Sequence, residues 1–442
     1  MTVMDLPNRN RMEPYWLPFT ANRQFKAQPK LFVGADGMYY VTADGRRILD
    51  GMAGLWCVNA GNNQRPIVEA IQRAAEQLDY VSSFQMSHPA AFEFAARIAE
   101  LTPEGLDHVF FVNSGSEAVD TALKIARAYF HAKGEVGRTR FIGRARAYHG
   151  MGWGGLSVAG IARHRKHFGP FLPETDHLPH THDLQHNAFA KGRPGWGAHL
   201  ADELEKMAQI HDPSSIAAVI VEPVSGAGGV LPPPQGYLER LRRICDKYGF
   251  LLIFDEVITG FGRMGAPFAA NAFGVTPDLI TCAKGMTNGA VPMGGVIAHD
   301  RVWDAFAAGP EGMIELFHGY TYSGHPLACA AGIATLDVYR DQTIFDRAAA
   351  SAPVWEAAAH ALKGLPHVID IRNQGLLAAV EMAPRPGAPG ARGIEAVNAC
   401  YERGVLVRSV GDALVLSPPL VISESEIGRL FDTIAEVIRT IA

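Results

Sequence analysis

Two short apolar runs, Leu251 to Phe254 and Leu279 to Ala283, constrain the fold more than anything else in the chain. Each is too short for a helix and has turn residues on both sides, so each reads as a buried strand of a parallel sheet. Each also ends in a charged residue, Asp255 after the first and Lys284 after the second. In open parallel sheets the chemistry gathers beyond the carboxyl ends of the strands, so the two charges are expected to face one crevice.

Taken singly, neither charge decides anything. Lys284 reads equally well as a strand-end lysine reaching into water, and Asp255-Glu256 as a solvated corner or a Mg2+ site. Together they suit pyridoxal phosphate (PLP). Its chemistry needs an amine that forms a Schiff base and a carboxylate that keeps a ring nitrogen protonated. A decoy lies between them: Gly260-Phe-Gly262-Arg-Met-Gly265 is formally G-x-G-x-x-G, and Asp278 stands downstream where a ribose-binding acid would be. Two carboxylates occupy the approach a pyrophosphate would need, and Pro267 interrupts the helix that should follow, so no dinucleotide site is expected.

A chain of 442 residues can bury a large core, enough for two or three domains. Its 40 basic and 45 acidic residues nearly balance, which gives no electrostatic case for nucleic acid or an anionic membrane surface. Cys57, Cys245, Cys282, Cys329 and Cys400 are odd in number and lack C-x-x-C spacing. They point to free thiols in a reducing, cytoplasmic setting, not to a disulfide frame or a zinc site. Met1 to Arg11 has no apolar core and no later run approaches a membrane span, so neither leader nor anchor is expected.

Along the chain, Tyr39 to Thr42 and Arg47 to Leu49 flank the turn Ala43-Asp44-Gly45 and predict a hairpin. Trp56 follows in a loop of small residues, either as seam packing or as a pocket wall. A helix from Pro66 carries Ile67, Ala70, Ile71, Ala74 and Leu78 on one stripe, and Phe92 to Leu101 reads as another. A strand to Val112 then meets Ser114-Gly115-Ser116-Glu117. Ser114-x-x-Glu117 is a capping box, which alone means only a well-started helix. Ser-Gly-Ser at that position also offers free N–H groups, two hydroxyls and the positive end of the helix dipole, the makings of a phosphate cup.

Past the strand Arg140 to Gly143, Tyr148 either packs or lies flat on a planar cofactor. The histidines between Asp176 and His186 lack helical ligand spacing and read as a long loop, with no metal expected. Ile216 to Val221 is a strand ending in Glu222, and Gly236 to Tyr248 an amphipathic helix closed by Gly249. Strand–helix alternation through this region predicts a doubly wound α/β core. Further on, helices over Ala349 to Leu362, Gly393 to Arg403 and Glu424 to Ile441 enclose strands at Val368 to Ile371, Leu376 to Glu381, Val405 to Arg408 and Leu414 to Ser417, an α+β pattern.

With these residues assembled, the chain resembles the class III, ω-amino-acid-type PLP aminotransferases of fold type I, and among them the ω-amino acid–pyruvate (β-alanine–pyruvate) group. The likeness runs from Tyr15-Trp16-Leu-Pro-Phe-Thr20 to the last helix. It is most specific in Leu252-Ile-Phe-Asp255-Glu256-Val257-Ile-Thr-Gly260-Phe-Gly262-Arg263, in Asp278-Leu-Ile-Thr-Cys-Ala-Lys284 and in Asn288-Gly289. Asn113-Ser-Gly-Ser-Glu117, Tyr148-His149-Gly150 and Gly319-Tyr320-Thr321-Tyr322-Ser323 support it.

The resemblance implies an α/β fold: a large, mostly parallel-sheet domain over residues 63–330, with a smaller α+β domain from 331–442 joined by the N-terminal 1–62. Lys284 would hold PLP and shuttle protons, and Asp255 would pair with its ring nitrogen. Ser114, Gly115 and Ser116 would cup the phosphate and Tyr148 would stack on the ring. His149 and Val257 would border the cofactor, with Glu222 near its ring hydroxyl. Thr321 would reach the phosphate of the neighbouring subunit, which requires a homodimer. Arg408 resembles an arginine that forks a keto-acid carboxylate and moves aside for apolar amines. Trp56 and Tyr148 would line the substrate pocket, Trp56 favouring a small acceptor such as pyruvate, and Phe84 would add a wall from the partner subunit.

The activity implied is ping-pong transfer of an amino group from a terminal amine or ω-amino acid to pyruvate, leaving alanine and an aldehyde or oxo acid. PLP aminomutases and decarboxylases of this fold use the same lysine and aspartate, because fold and cofactor do not fix the reaction. The likeness around Trp56, Tyr148 and Arg408 favours transamination. A degenerate regulatory protein of the fold would be expected to lose Lys284 or Asp255, and both are present.

Overall fold

A computed structural model describes residues 12–441, so the reading of residues 1–11 lies outside it. The chain first forms three antiparallel strands, β1 (Phe32–Asp36), β2 (Tyr39–Thr42) and β3 (Arg47–Asp50). The β2–β3 hairpin is the expected one, with Gly45 at φ +85° and its N–H bonded to the Thr42 carbonyl at 2.9 Å. The sequence reading did not include β1, Phe-Val-Gly-Ala-Asp, which lacks regular alternation. Helices Arg65–Gln77 and Pro89–Ala99 come next, each with Pro in its first turn, where the missing N–H costs nothing.

The central sheet takes seven strands: β4 (His108–Val112), β5 (Arg140–Arg144), β6 (Thr175–Leu178), β7 (Ile216–Val221), β8 (Leu251–Asp255), β9 (Leu279–Ala283) and β10 (Gly294–Ala298). Their order across the sheet is β4-β10-β9-β8-β7-β5-β6. Only β10 is antiparallel to its neighbours; β5, β6, β7, β8 and β9 pair in parallel. Asp176 and His177, read as loop, lie on β6, and the remaining histidines follow it.

Both faces of this sheet are covered, and β8 shows how. Leu252 and Phe254 point into one core with Leu238, Leu241 and Ile244 of helix Tyr237–Tyr248. Leu251 and Ile253 point into another with Val119, Leu123, Ala126 and Phe130 of helix Gly115–Ala132. A side-chain period of two, apolar on both faces, is why the run is continuously hydrophobic.

After helix Pro326–Asp341, helix Ile344–His360 starts before the predicted boundary and passes through Pro353. The strands β11 (Val368–Gln374), β12 (Leu377–Met382), β13 (Val405–Leu406), β14 (Arg408–Val410) and β15 (Ala413–Leu416) follow. The predicted strand Val405 to Arg408 is in fact two. β13 pairs in parallel with β3, while β14 pairs antiparallel with β15 in a second sheet, ordered β11-β12-β15-β14. Val407, buried between them, is the pivot. The final helix, Glu424–Thr440, begins with a full capping box, Ser423 and Glu426, and its Phe431 meets the buried Trp355 ring edge-on at 4.8 Å. Among the described residues no helix is long and apolar enough to cross a membrane. All five cysteines are free.

Candidate active site

Five strands running the same way, β4, β5, β7, β8 and β9, each deliver one functional segment to the same edge of the sheet. Asp255 closes β8 and is buried. Its Oδ2 lies 2.7 Å from His149 Nδ1, and its Oδ1 accepts from the Val257 N–H at 3.1 Å and the Thr281 hydroxyl at 3.2 Å. Three donors hold the carboxylate in one orientation. Thr281 is the β9 residue directly opposite Asp255. It was missed in the sequence, although a hydroxyl inside the run Leu-Ile-Thr-Cys-Ala was the available signal.

Glu256, the second acid of the pair, turns the other way. It accepts from the Thr259 hydroxyl at 2.9 Å and from the amides of Ala269 and Ala270 at 2.5 and 2.8 Å, so it caps the short helix Ala269–Phe273. The paired carboxylates therefore do not form a metal corner. The G-x-G-x-x-G turn has a packing explanation too. A Cβ on Gly262 (φ +98°) would lie 2.5 Å from the Phe345 ring, and one on Gly265 (φ +77°) 2.9 Å from Ala349 Cβ. The glycines let this turn press against helix Ile344–His360. Asp278, buried ahead of β9, is bound by Arg242, Arg301 and the Leu252 N–H and faces no ligand crevice.

Lys284 follows β9 directly, at φ +50°, a costly conformation for a residue with a side chain and one that marks functional sites. Its carbonyl accepts from the Gly289 N–H at 3.1 Å, and the next carbonyl, of Gly285, accepts from the Tyr339 hydroxyl at 2.6 Å. Burial lowers the pKa of the Lys284 amine and the Arg408 charge adds to this, against opposition from Cys57, Asp255 and Glu222. Glu222, at the end of β7, accepts from the Tyr148 N–H at 2.9 Å, the Ser225 hydroxyl at 3.1 Å and the Gly226 N–H at 3.0 Å. It thereby pins the backbone of Tyr148. Burial raises the Glu222 pKa, and the nearby Asp255 adds to that.

At the end of β4, Ser114 caps helix Gly115–Ala132 by accepting from the Glu117 N–H. The capping box is only half formed. The Glu117 carboxylate reaches past Ser114 to the backbone and side-chain N–H of Asn113, at 2.7 and 2.9 Å. The amides of Gly115 and Ser116 have no acceptor among the described residues, while the Ser116 oxygen accepts from the Met151 N–H at 3.1 Å. A Cβ on Gly115 would stand 2.8 Å from Val257 Cγ1, so this helix start sits directly on the Val257 side chain.

The smaller sheets bring Trp56 and Arg408 to the crevice. β3 and β13 run side by side, with Leu406 opposite Asp50, so the segments leaving them stay together. Asp50, buried and raised to about 6, chiefly by burial, accepts from the N–H groups of Met52 (3.0 Å) and Gly54 (2.7 Å) and shapes the kinked Ala53–Trp56 turn. The guanidinium carbon of Arg408 lies 5.5 Å from the centre of the Trp56 ring, and Lys284 Nζ lies 5.0 Å from the same centre. Arg408 has no carboxylate partner among the described residues. Tyr148 meets the ring of His164 edge-on at 5.3 Å, a neighbour the sequence reading did not include.

Phe84 and Thr321 are not part of this cluster within one chain. Both are exposed and near each other. The Thr321 carbonyl accepts from the Tyr80 hydroxyl at 2.9 Å, and a Cβ on Gly319 would lie 2.9 Å from the Phe84 ring. Among the described residues, one candidate metal cluster joins His182, Asp370 and Glu381. Arg372 donates to both carboxylates at 2.5 Å, so a guanidinium already fills the middle of it.

The donor set fits PLP. Asp255 would neutralise a cationic ring nitrogen, Lys284 would offer the amine, and the amides of Gly115 and Ser116, unpaired among the described residues, would offer a phosphate seat. Fold and site together define a PLP-dependent aminotransferase of fold type I. The family model for class III aminotransferases matches residues 21–438, and the chain belongs to that family. It is 57% identical, over 97% of its own length and 98% of the relative's, to an omega-aminotransferase of Caulobacter vibrioides. A beta-alanine–pyruvate aminotransferase of Pseudomonas aeruginosa is 48% identical over 98% of this chain and 96% of that protein. The structure also superposes on a PLP-bound amine transaminase from an uncultivated Pseudomonas species, with a TM-score of 0.89 and 34% identity, covering 97% of this chain and 99% of the other.

Proposed function

We propose that the chain is an ω-amino acid (or amine)–pyruvate transaminase that works as a homodimer. One observation carries the choice: Arg408, a guanidinium without a carboxylate partner among the described residues, lies over the same Trp56 ring as the Lys284 amine. A carboxylate forked by Arg408 places a small keto acid or ω-amino acid beside that amine. The relative at 57% identity is named an omega-aminotransferase and the one at 48% a beta-alanine–pyruvate aminotransferase, which supports the same reading.

PLP, when bound, supplies a ring that draws electrons from the carbon bearing the amino group. The chain does the rest. Lys284 Nζ, its pKa lowered by burial, would take the proton from that carbon and deliver it to the cofactor's own carbon, and would do the reverse in the second half-reaction. Asp255, its two oxygens oriented by His149, Val257 and Thr281, would face the ring nitrogen. The amides of Gly115 and Ser116 at the helix N-terminus would hold the phosphate. The buried Trp56 narrows the pocket and so favours pyruvate over longer acceptors.

The dimer is inferred from exposed apolar side chains beside Thr321, namely Phe84 at 54%, Tyr322 at 58% and Phe317 at 91% of full exposure. In this reading Thr321 and Phe84 complete the partner's site. The N-terminal segment, in the same reading, joins the small domain that follows residue 330, and five free thiols suit the cytoplasm. The test is a set of amine donors incubated with pyruvate or 2-oxoglutarate, with alanine and glutamate quantified. Alanine from several terminal amines supports the proposal. A single substrate isomerised without any keto acid refutes it in favour of a mutase.

A further inference from the structure

Arg408 is not alone at the mouth of the site. The segment Ala162-Arg163-His164-Arg165-Lys166-His167 follows the short Trp153–Val158 helix, and His164 anchors it. The His164 ring packs edge-on against Tyr148 at 5.3 Å on one side and against Phe19 at 5.7 Å on the other. Its immediate neighbour Arg163 is exposed at the mouth, close enough for its charge to act on both Arg408 and His164. Neither Arg163 nor Arg408 forms an ion pair among the described residues, and besides Arg163 only the Tyr148 phenol, no carboxylate, is among the groups acting on Arg408. Two guanidiniums repel each other unless an anion lies between or beside them. Among the described residues no carboxylate supplies that anion, which leaves the place to an incoming one.

We infer that Arg163 is a specificity-determining residue: a second, outer cation that selects substrates carrying a carboxylate and disfavours those carrying a second ammonium. Arg408 forks the carboxylate inside, and Arg163, flexible and solvated, raises the local concentration of anions at the entrance. The inference rests on the proposed transaminase reading. It goes further in giving this enzyme an electrostatic ranking of donors: ω-amino acids gain, amines with no second charge are unaffected by Arg163, and diamines lose.

The test compares kcat/KM for β-alanine, benzylamine and putrescine, with pyruvate fixed, in the wild-type enzyme and in Arg163→Gln, Arg163→Glu and Arg163→Lys. The Gln variant is expected to lower the β-alanine/benzylamine ratio about two- to fivefold, the range of a solvent-screened charge pair, and to raise the putrescine/benzylamine ratio. Charge reversal should enlarge both changes, Lys should restore both ratios, and added salt should erase the difference in the wild type. A misfolded site would lower all three donors together, so opposite movement of β-alanine and putrescine is the signature of the charge. Ratios that stay constant across the variants, while the wild type makes alanine from all three donors, would overturn the inference and leave the transaminase reading standing. A wild type that makes no alanine from any donor would overturn both.

Discussion

His149 Nδ1 lies 2.7 Å from Asp255 Oδ2, with both side chains buried and the other imidazole nitrogen lacking any partner among the described residues. The histidine is proposed to act on the cofactor through the acid it holds. Asp255→Ala is expected to lower kcat about 10²- to 10³-fold while moving PLP affinity far less, because it removes the charge that keeps the ring an electron sink. His149→Leu, which only frees the acid to rotate, should cost about 10- to 100-fold. Rapid-mixing kinetics alongside PLP titration separate the two effects. Near-wild-type turnover in Asp255→Ala would remove the assignment.

The phosphate seat makes a packing prediction. Gly115→Ala puts a methyl 2.8 Å from Val257 Cγ1 and must push the helix start off its support. PLP should bind about tenfold more weakly. Val257→Ala in the same chain should recover much of that loss, since the two residues share one contact. Equilibrium dialysis of the single and double variants gives the answer, and strictly additive losses would count against the contact.

Arg408→Ala should raise the KM for pyruvate about 10- to 100-fold, the cost of removing one partner of a partly buried charge pair. The KM for an amine without a carboxylate should change little. Steady-state kinetics with both substrates varied would show this, and equal changes in the two values would refute the carboxylate role.

Stability should depend on pH through His182. Burial and the Arg372 charge hold its pKa well below the ordinary 6.5. The folded state therefore binds fewer protons than the unfolded one below that value. The stability so contributed is complete above pH 6.5 and is lost as pH falls towards 4. His182→Gln removes the titration, and its melting temperature should fall less than the wild type's over that interval. Parallel melting curves for the two proteins would contradict the assignment.

Asp255 and Lys284 were legible in the sequence because a buried parallel strand leaves an unmistakable apolar run, and the charge at its end has nowhere to go but the crevice. Ser114 was legible because helix starts advertise their caps. Other features depend on contacts between distant segments. Nothing local indicates that Val405 to Val410 divides between two sheets, since each piece is too short to show a period. The fork of Arg372 between Asp370 and Glu381, with His182 beside it, joins residues nearly two hundred positions apart. Glu117 was recognised at a helix start and Glu256 only as one acid of a pair, and which amide each reaches depends on how the neighbouring turns pack. Arg408 was named through the family resemblance. Its geometry above Trp56 follows from the β3–β13 pairing, which no reading of either strand alone contains.

The amine proposed to hold the cofactor is that of Lys284. Protein loaded with PLP, reduced with borohydride, digested and mapped by mass spectrometry should carry the pyridoxyl mass on the peptide containing Lys284, and Lys284→Ala should carry none. A label on any other lysine, or an unlabelled Lys284 in fully loaded protein, would contradict the account.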